Sequence, residues 1–417
     1  MTQRKHLVLL LLAVVLLAGC WPAATPFECT DTIGCVEVAP GDPIKIGVLQ
    51  ALSGDMFAQG ADQVQCIELA VQDRGGEFFD HPIELQIEDS QCTEEGGTTA
   101  ALKVAADPQV VGIVGPTCSG AAASAMKVVS EAGLVMISAS SSSLSLTSVG
   151  GVRGADWQPG FLRTAQNDAQ VGRVAATLAF QGLGLTKAAT IDDGDPYTRG
   201  LSDTFTQVFT ELGGEVVLSA TVNKGDNDMR PVLTAVAASD VELLFFPVFR
   251  MEGDYIVLQA RETVELENVT LMSAEGLYVE EFIESVGEAG VGMYFNTPMR
   301  PEGPAYDAFV SRYETEYNEP PNSSPYLAHT YDAVNLLLHA IEAVAVQDKD
   351  GTLHIGRQAL RDALYATSGY QGLTGSLTCD EYGDCGAIRL QVTRLDDPAT
   401  GLEGLAANVV YTYPPDQ

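Results

Sequence analysis

Side chains able to do chemistry are densest between Val110 and Thr147, where V-V-G-I-V-G-P-T-C-S-G is followed, after a run of small residues, by L-V-M-I-S-A-S-S-S-S. A short β-branched run meets a turn at Gly115-Pro116, a small-residue helix opens near Ser119, and a second apolar run, Leu134 to Ile137, breaks into serines. The pattern reads as strand, loop, helix, strand, loop. In a parallel sheet such loops lie at the carboxyl ends of the strands, where α/β proteins place ligands. The first of them also feeds a helix whose unpaired N–H groups favour an anion. This edge therefore offers hydroxyls and backbone donors to something small and negatively charged.

Ser119 also admits two other readings. It could cap its helix, or it could be the nucleophile of a serine acyl hydrolase, which needs a base nearby. His81 precedes its strand, at the opposite end from the serines. His329 and His339 fall in or beside a long helix, His354 lies near another helix start, and no G-x-S-x-G occurs. Catalysis is therefore not expected, and no cofactor is implied. Acidic loops such as Asp192-Asp193-Gly194-Asp195 and Cys379-Asp380-Glu381-Tyr382-Gly383-Asp384 lack the twelve-residue calcium spacing with its terminal glutamate, and turn chemistry explains them. No C-x-x-C occurs and the five histidines are dispersed, so no metal site is expected.

These residues must be held by alternating strands and helices. Ile44 to Leu49 reads as a buried strand, followed by a turn at Ser53-Gly54-Asp55 and an amphipathic helix carrying Val64, Ile67, Leu69 and Val71. Pro82 to Glu88, Val110 to Val114 and Leu134 to Ser138 continue the strands, with helices near 98–106 and 119–132 between them. After a looser stretch, 150–161, the alternation restarts: strands 188–192, 215–220, 243–248 and 269–273, separated by helices. Such order implies right-handed crossovers and parallel sheets. Thr297 to Pro304, with three prolines, reads as a crossing segment. Helices are expected over 305–317, 326–346 and 355–366, then strands at 388–393 and 409–413.

At 417 residues and 46% hydrophobic, the chain can bury two ordinary cores. Its 56 acidic against 22 basic residues give a net charge of −34, which repels nucleic-acid phosphates and anionic membrane surfaces alike. Arg4, Lys5 and His6 precede an apolar core, Leu7 to Leu17, too short to span a membrane as a helix, that ends at Leu17-Ala18-Gly19-Cys20. This resembles a bacterial lipoprotein signal. The resemblance implies cleavage before Cys20, lipid on that cysteine, and loss of Arg4 and Lys5, which moves the charge from −34 to −36. A signal over 1–19 and a tether over 20–43 would leave the protein anchored to the membrane without crossing it. The seven remaining cysteines suit an oxidising compartment. Cys29 with Cys35, Cys92 with Cys118 and Cys379 with Cys385 are plausible pairs among 15 possible connectivities. Cys66 then remains as a small buried hydrophobe.

Seven motifs in order resemble one family, the substrate-binding proteins of branched-chain amino acid and amide ABC transporters, of the Leu/Ile/Val-binding type. They are I-K-I-G-V-L-Q-A-L-S-G (44–54), D-S-Q-C (89–92), V-G-P-T-C-S-G (114–120), M-I-S-A-S (136–140), F-L-R-T (161–164), D-G-D-P-Y (193–197) and M-S-A-E-G (272–276). The resemblance implies an α/β protein of two doubly wound parallel-sheet lobes joined by three crossing strands, the type I periplasmic binding fold, closing on a ligand. Lobe 1 would be 44–163 with 300–371, and lobe 2 would be 164–299 with 372–417. The crossings would fall near Arg163, Pro298 and Gly372.

Carried over residue by residue, the resemblance implies that Ser119 holds a ligand carboxylate and that Ser140 and Ser142 offer a carbonyl and a hydroxyl. Glu275 would meet an α-ammonium, with Tyr197 and Phe249 as aromatic walls, and Gln59 stands where the family often has an aromatic residue. Serine at 142 replaces the usual threonine and Phe249 a common tyrosine. The implied function is a monomeric, extracytoplasmic, lipid-anchored binding component that delivers a small neutral or branched-chain amino acid to permease and ATPase subunits. Alternatives are a ligand-sensing lipoprotein of the same fold, or amides or urea as ligand. Arg250 beside Phe249 also leaves a polar or acidic side chain open.

Overall fold

A computed structural model describes residues 27–318, 320–321 and 324–414; the signal expected over 1–19 and the expected lipidation site Cys20 lie outside the described residues. The first half is built on a six-stranded sheet in the order Glu77–Phe78, His81–Asp89, Ile44–Gln50, Val110–Val114, Met136–Ser138 and Phe161–Arg163. All neighbours are parallel except the short edge strand Glu77–Phe78. The strand Ile44–Gln50 is flanked by His81–Asp89 on one side and Val110–Val114 on the other, both later in sequence. This is the strand-order reversal at whose carboxyl edge a crevice opens. The second half carries seven strands: Glu215–Thr221, Lys187–Asp192, Leu243–Phe245, Thr270–Ala274, Tyr294–Pro298, Leu390–Arg394 and Val409–Tyr413. The first five are parallel and the last two antiparallel.

After Pro298 the chain returns to the first sheet. The helix Leu327–Val344 lays Leu336, Leu337 and Ile341 against Ile44, Ile46 and Val48, all fully buried. Each such side chain contributes about 1.5 to 3 kcal/mol by leaving water. The helix Pro304–Tyr317 covers Cys66 and Leu69 through Phe309 and Tyr313.

Three expectations about this half are corrected. The stretch before residue 44 is, from Phe27 onward, part of the body and not a loose tether. Strand Cys35–Val38 pairs antiparallel with Leu353–Gly356, buries Val36 and Val38, and is preceded by the Cys29–Cys35 disulfide. The Asp31 carboxylate accepts from the backbone N–H groups of Gln358 and Ala359, 3.1 and 2.9 Å away, and so caps the helix Arg357–Tyr365 from a remote segment. That helix starts two residues later than expected, because Ile355 is drawn into the sheet. Finally, segment 372–385 packs on the first half. Asp332 accepts from the N–H groups of Leu373 and Thr374, and Cys385, bonded to Cys379, joins the first core. The third crossing therefore runs not near Gly372 but through 384–390, where Cys385 N donates to Arg163 O and Met299 N to Arg389 O.

Arg163 is fully buried at the junction. Its guanidinium donates to Asp384 Oδ1 at 2.6 Å, to the carbonyls of Ser141 and Ser143 at 3.2 and 2.7 Å, and to Thr147 Oγ1. The rigid five-donor fork thus ties two crossings to the serine loop. Burial acts to raise the Asp384 pKa, but the charge of Arg163 together with the hydrogen bonds from Arg163, Asn167 and Thr147 holds the carboxyl below its ordinary range.

Candidate functional site

Six of the seven expected ligand residues line one small cavity: Gln59, Ser119, Ser140, Tyr197, Phe249 and Glu275, together with Met56, Thr117, Cys118, Gly276 and Tyr326. Ser142 is the exception. It lies behind the wall, fully buried, with its hydroxyl 3.5 Å from Glu275 Oε1.

The carboxyl edge of the first sheet supplies one wall. Ser119 is the first residue of the helix Ser119–Glu131, and the Cys92–Cys118 disulfide holds the loop that feeds it. By chain-entropy arguments a closure of that length is worth about 3 to 4 kcal/mol. Gly115 sits at φ +120° with Leu49 O only 2.0 Å from where a Cβ would be, so the turn needs glycine. Ser119 Oγ accepts from Ser143 N at 3.1 Å, which leaves its own O–H free to donate toward the cavity. The Ser140 hydroxyl donates to Thr117 O at 2.8 Å and accepts from Gln63 Nε2 at 2.9 Å, so its carbonyl is the group it can offer. Among the described residues no histidine ring hydrogen-bonds to Ser119. His81 faces Asp42 O and Gly351 O, His329 packs on Tyr326, and His354 faces Asp348.

The second half supplies the opposite wall. Tyr197 opens the helix Pro196–Glu211, its N–H bound by the capping carboxylate of Asp195 at 3.0 Å. Its ring lies 5.2 Å from that of Phe249, and its hydroxyl accepts from Gly276 N at 3.2 Å. Glu275 directly follows strand Thr270–Ala274. The halves touch across the cleft: Tyr326 donates to Glu275 Oε1 at 3.0 Å, and Ser143 Oγ donates to Pro196 O at 2.9 Å. Asp195 Oδ2 would stand 2.6 Å from a Cβ on Gly120, so only a glycine lets this acid reach the start of the Ser119 helix. There it pairs with Lys224 at 2.8 Å.

The electrostatics are unusual for an acid-rich chain in water. Burial pushes Glu275 up to about 7, against hydrogen bonds that act to lower it. Its Oε2 has no hydrogen-bond partner among the described residues. Asp168, fully buried at the start of the helix Asp168–Thr177, is pushed well above the carboxylate range by burial and by Glu275. Its backbone N–H donates to Ser142 O, so Ser142 touches both acids. Two buried carboxyls with unmet acceptor capacity form a place that calls for a cation or a proton.

Sequence reasoning missed Tyr326 and Asp168. Tyr326 precedes a strongly apolar helix and reads as a core aromatic. Asp168 falls in a first helical turn, where an acid is ordinarily explained by the helix dipole.

Two α/β halves, three crossings and a closed cleft at their carboxyl edges define a two-lobed solute-binding protein of type I periplasmic architecture. A family model for periplasmic binding proteins matches residues 43–388, and the chain belongs to that family. Among its relatives is the Leu/Ile/Val-binding protein BraC3 of Rhizobium johnstonii, 26% identical over 74% of this chain and 84% of that one. The branched-chain amino acid binding protein LivJ of Streptococcus pneumoniae, solved with isoleucine, superimposes with TM-score 0.72 at 23% identity, covering 89% of this chain and 99% of that one. An R. palustris solute-binding protein in complex with benzoate gives TM-score 0.69 at 21% identity over 90% and 98%. Each of these relatives is named as a binding protein.

Proposed function

We propose that this chain is the solute-binding component of an ABC importer and that its ligand is an amino acid. The ligand carboxylate would meet the Ser119 hydroxyl and the N–H groups of its helix, and the α-ammonium would meet Glu275 and the Ser140 carbonyl. Tyr197 and Phe249 would close over it. The lobes would be 44–163 with the returning segment 300–385, and 164–299 with the C-terminal strands. Lipid on Cys20 would hold the protein at the outer face of a bacterial membrane as a monomer, delivering ligand to a permease served by ATPase subunits. Closure follows because Glu275 and the aromatic wall contact ligand only when the lobes meet.

The observation that carries the reading is the buried Glu275 with an unpaired oxygen, facing a helix start across one small cavity. An ammonium answers that acid; a benzoate, all anion and no cation, leaves both Glu275 and Asp168 uncompensated. Named relatives that bind leucine, isoleucine and valine support the same class. The test is calorimetry on the mature chain with the twenty amino acids, simple amides, urea and benzoate. An amino acid should bind, and Glu275→Gln should weaken it at least about tenfold, since a charge-assisted hydrogen bond is worth about 1.5 to 3 kcal/mol. Unchanged affinity in that variant, or benzoate as the tightest ligand, would remove the assignment. A sensing role would be distinguished by the absence of ligand uptake in cells that keep the permease.

A further inference from the structure

Gln59 lines both the cavity and a larger open chamber beside it. It is only 6% exposed, yet its amide makes no hydrogen bond with any described residue. Beyond it, the charged side chains around the chamber are Asp62, which has an interaction of its own, and the exposed Glu280, Glu281 and Glu403; among the described residues no lysine, arginine or histidine lines it. Glu280 is held in place by accepting from Leu402 N at 2.7 Å. The other way out of the cavity passes Met56 and Phe249, both apolar, toward Lys224 and Arg250, with Asp55, Asp193, Asp226 and Glu252 around them. Both of those bases are already paired, with Asp195 and Asp254, each at 2.8 Å. Besides Glu275 and Asp168, an amide without a hydrogen bond therefore lies at Gln59, and the charged residues of the chamber beyond it are all acidic.

Building on the amino-acid reading above, we propose that the ligand is an amino acid with an extended cationic side chain, whose far end passes Gln59 into the acidic chamber. The methylenes would run along Met56 and the aromatic wall. The Gln59 amide oxygen would accept from the terminal ammonium or guanidinium, and the chamber acids would supply the counter-charge. An anionic end would be repelled, and a leucine side chain would offer the Gln59 amide no hydrogen-bond partner and the chamber acids no counter-charge.

Competition calorimetry with L-lysine, L-arginine, L-leucine and L-glutamine on the mature chain tests this. Lysine or arginine should bind at least tenfold more tightly than leucine or glutamine. Gln59→Leu should reverse that order, and a Glu281→Gln/Glu403→Gln double variant should lower lysine affinity several-fold more than leucine affinity. Leucine or glutamine as the tightest ligand, or variants that move lysine and leucine equally, would overturn the extension while leaving the amino-acid reading intact. Binding of no amino acid at all would overturn both.

Discussion

Glu275 is where one side chain's protonation and ligand capture meet. Its pKa is raised from 4.5 to about 7 by burial. The sign follows directly: between those values the folded protein holds a proton that the unfolded chain has lost, so stability from this group falls as pH rises through that window. An ammonium ligand favours the ionised acid. Amino-acid affinity should therefore climb from about pH 5.5 to 7.5 and level off, with a proton released on binding near pH 6. Calorimetry in buffers of different ionisation enthalpy measures that release. Equal proton counts at pH 6 and pH 8 would show that Glu275 does not carry the linkage. The residue was legible beforehand only as an acid after a strand; its burial and its hydrogen bond from Tyr326, 51 positions away, were not.

At the level of elements, the N-terminal segment is the clearest departure from local expectation. Four residues, Cys35–Val38, are too few for a period-two pattern to stand out. Yet they form a strand because Leu353–Gly356 offers an edge, and Asp31 then caps a helix more than 300 positions downstream. Asp31→Ala should cost about 1 kcal/mol, the ordinary value of a lost cap, read as a lower urea midpoint with an unchanged slope. No change in midpoint would mean that the disulfide and the strand pairing hold this segment without the cap.

Across the whole molecule, Arg163 joins the first crossing to the third and to the serine loop that backs the site. Arg163→Met keeps the volume but strands Asp384. Breaking one partner of a buried pair costs about 3 to 5 kcal/mol, and the serine loop should loosen with it. Chemical denaturation should show the loss, and ligand affinity should fall although Arg163 does not line the cavity. A variant as stable as the parent would mean that Asp384 finds water or another partner, and that the crossings are held by backbone pairing alone.

The alternation of strands and helices, the glycine turn before Ser119, the serine run and the three cysteine pairs were readable from sequence, because each depends on local periodicity, turn chemistry or short spacing. Carboxyl-edge placement of the site followed from that order. What only the tertiary structure decided is which distant groups meet. Chain connectivity does not encode that the third crossing lies at 384–390, or that Ser142 backs the cavity and does not line it. Nor does it encode that Tyr326 bonds Glu275 from the opposite lobe. Those outcomes depend on long-range packing and desolvation, which exist only once the two sheets are assembled and face one another.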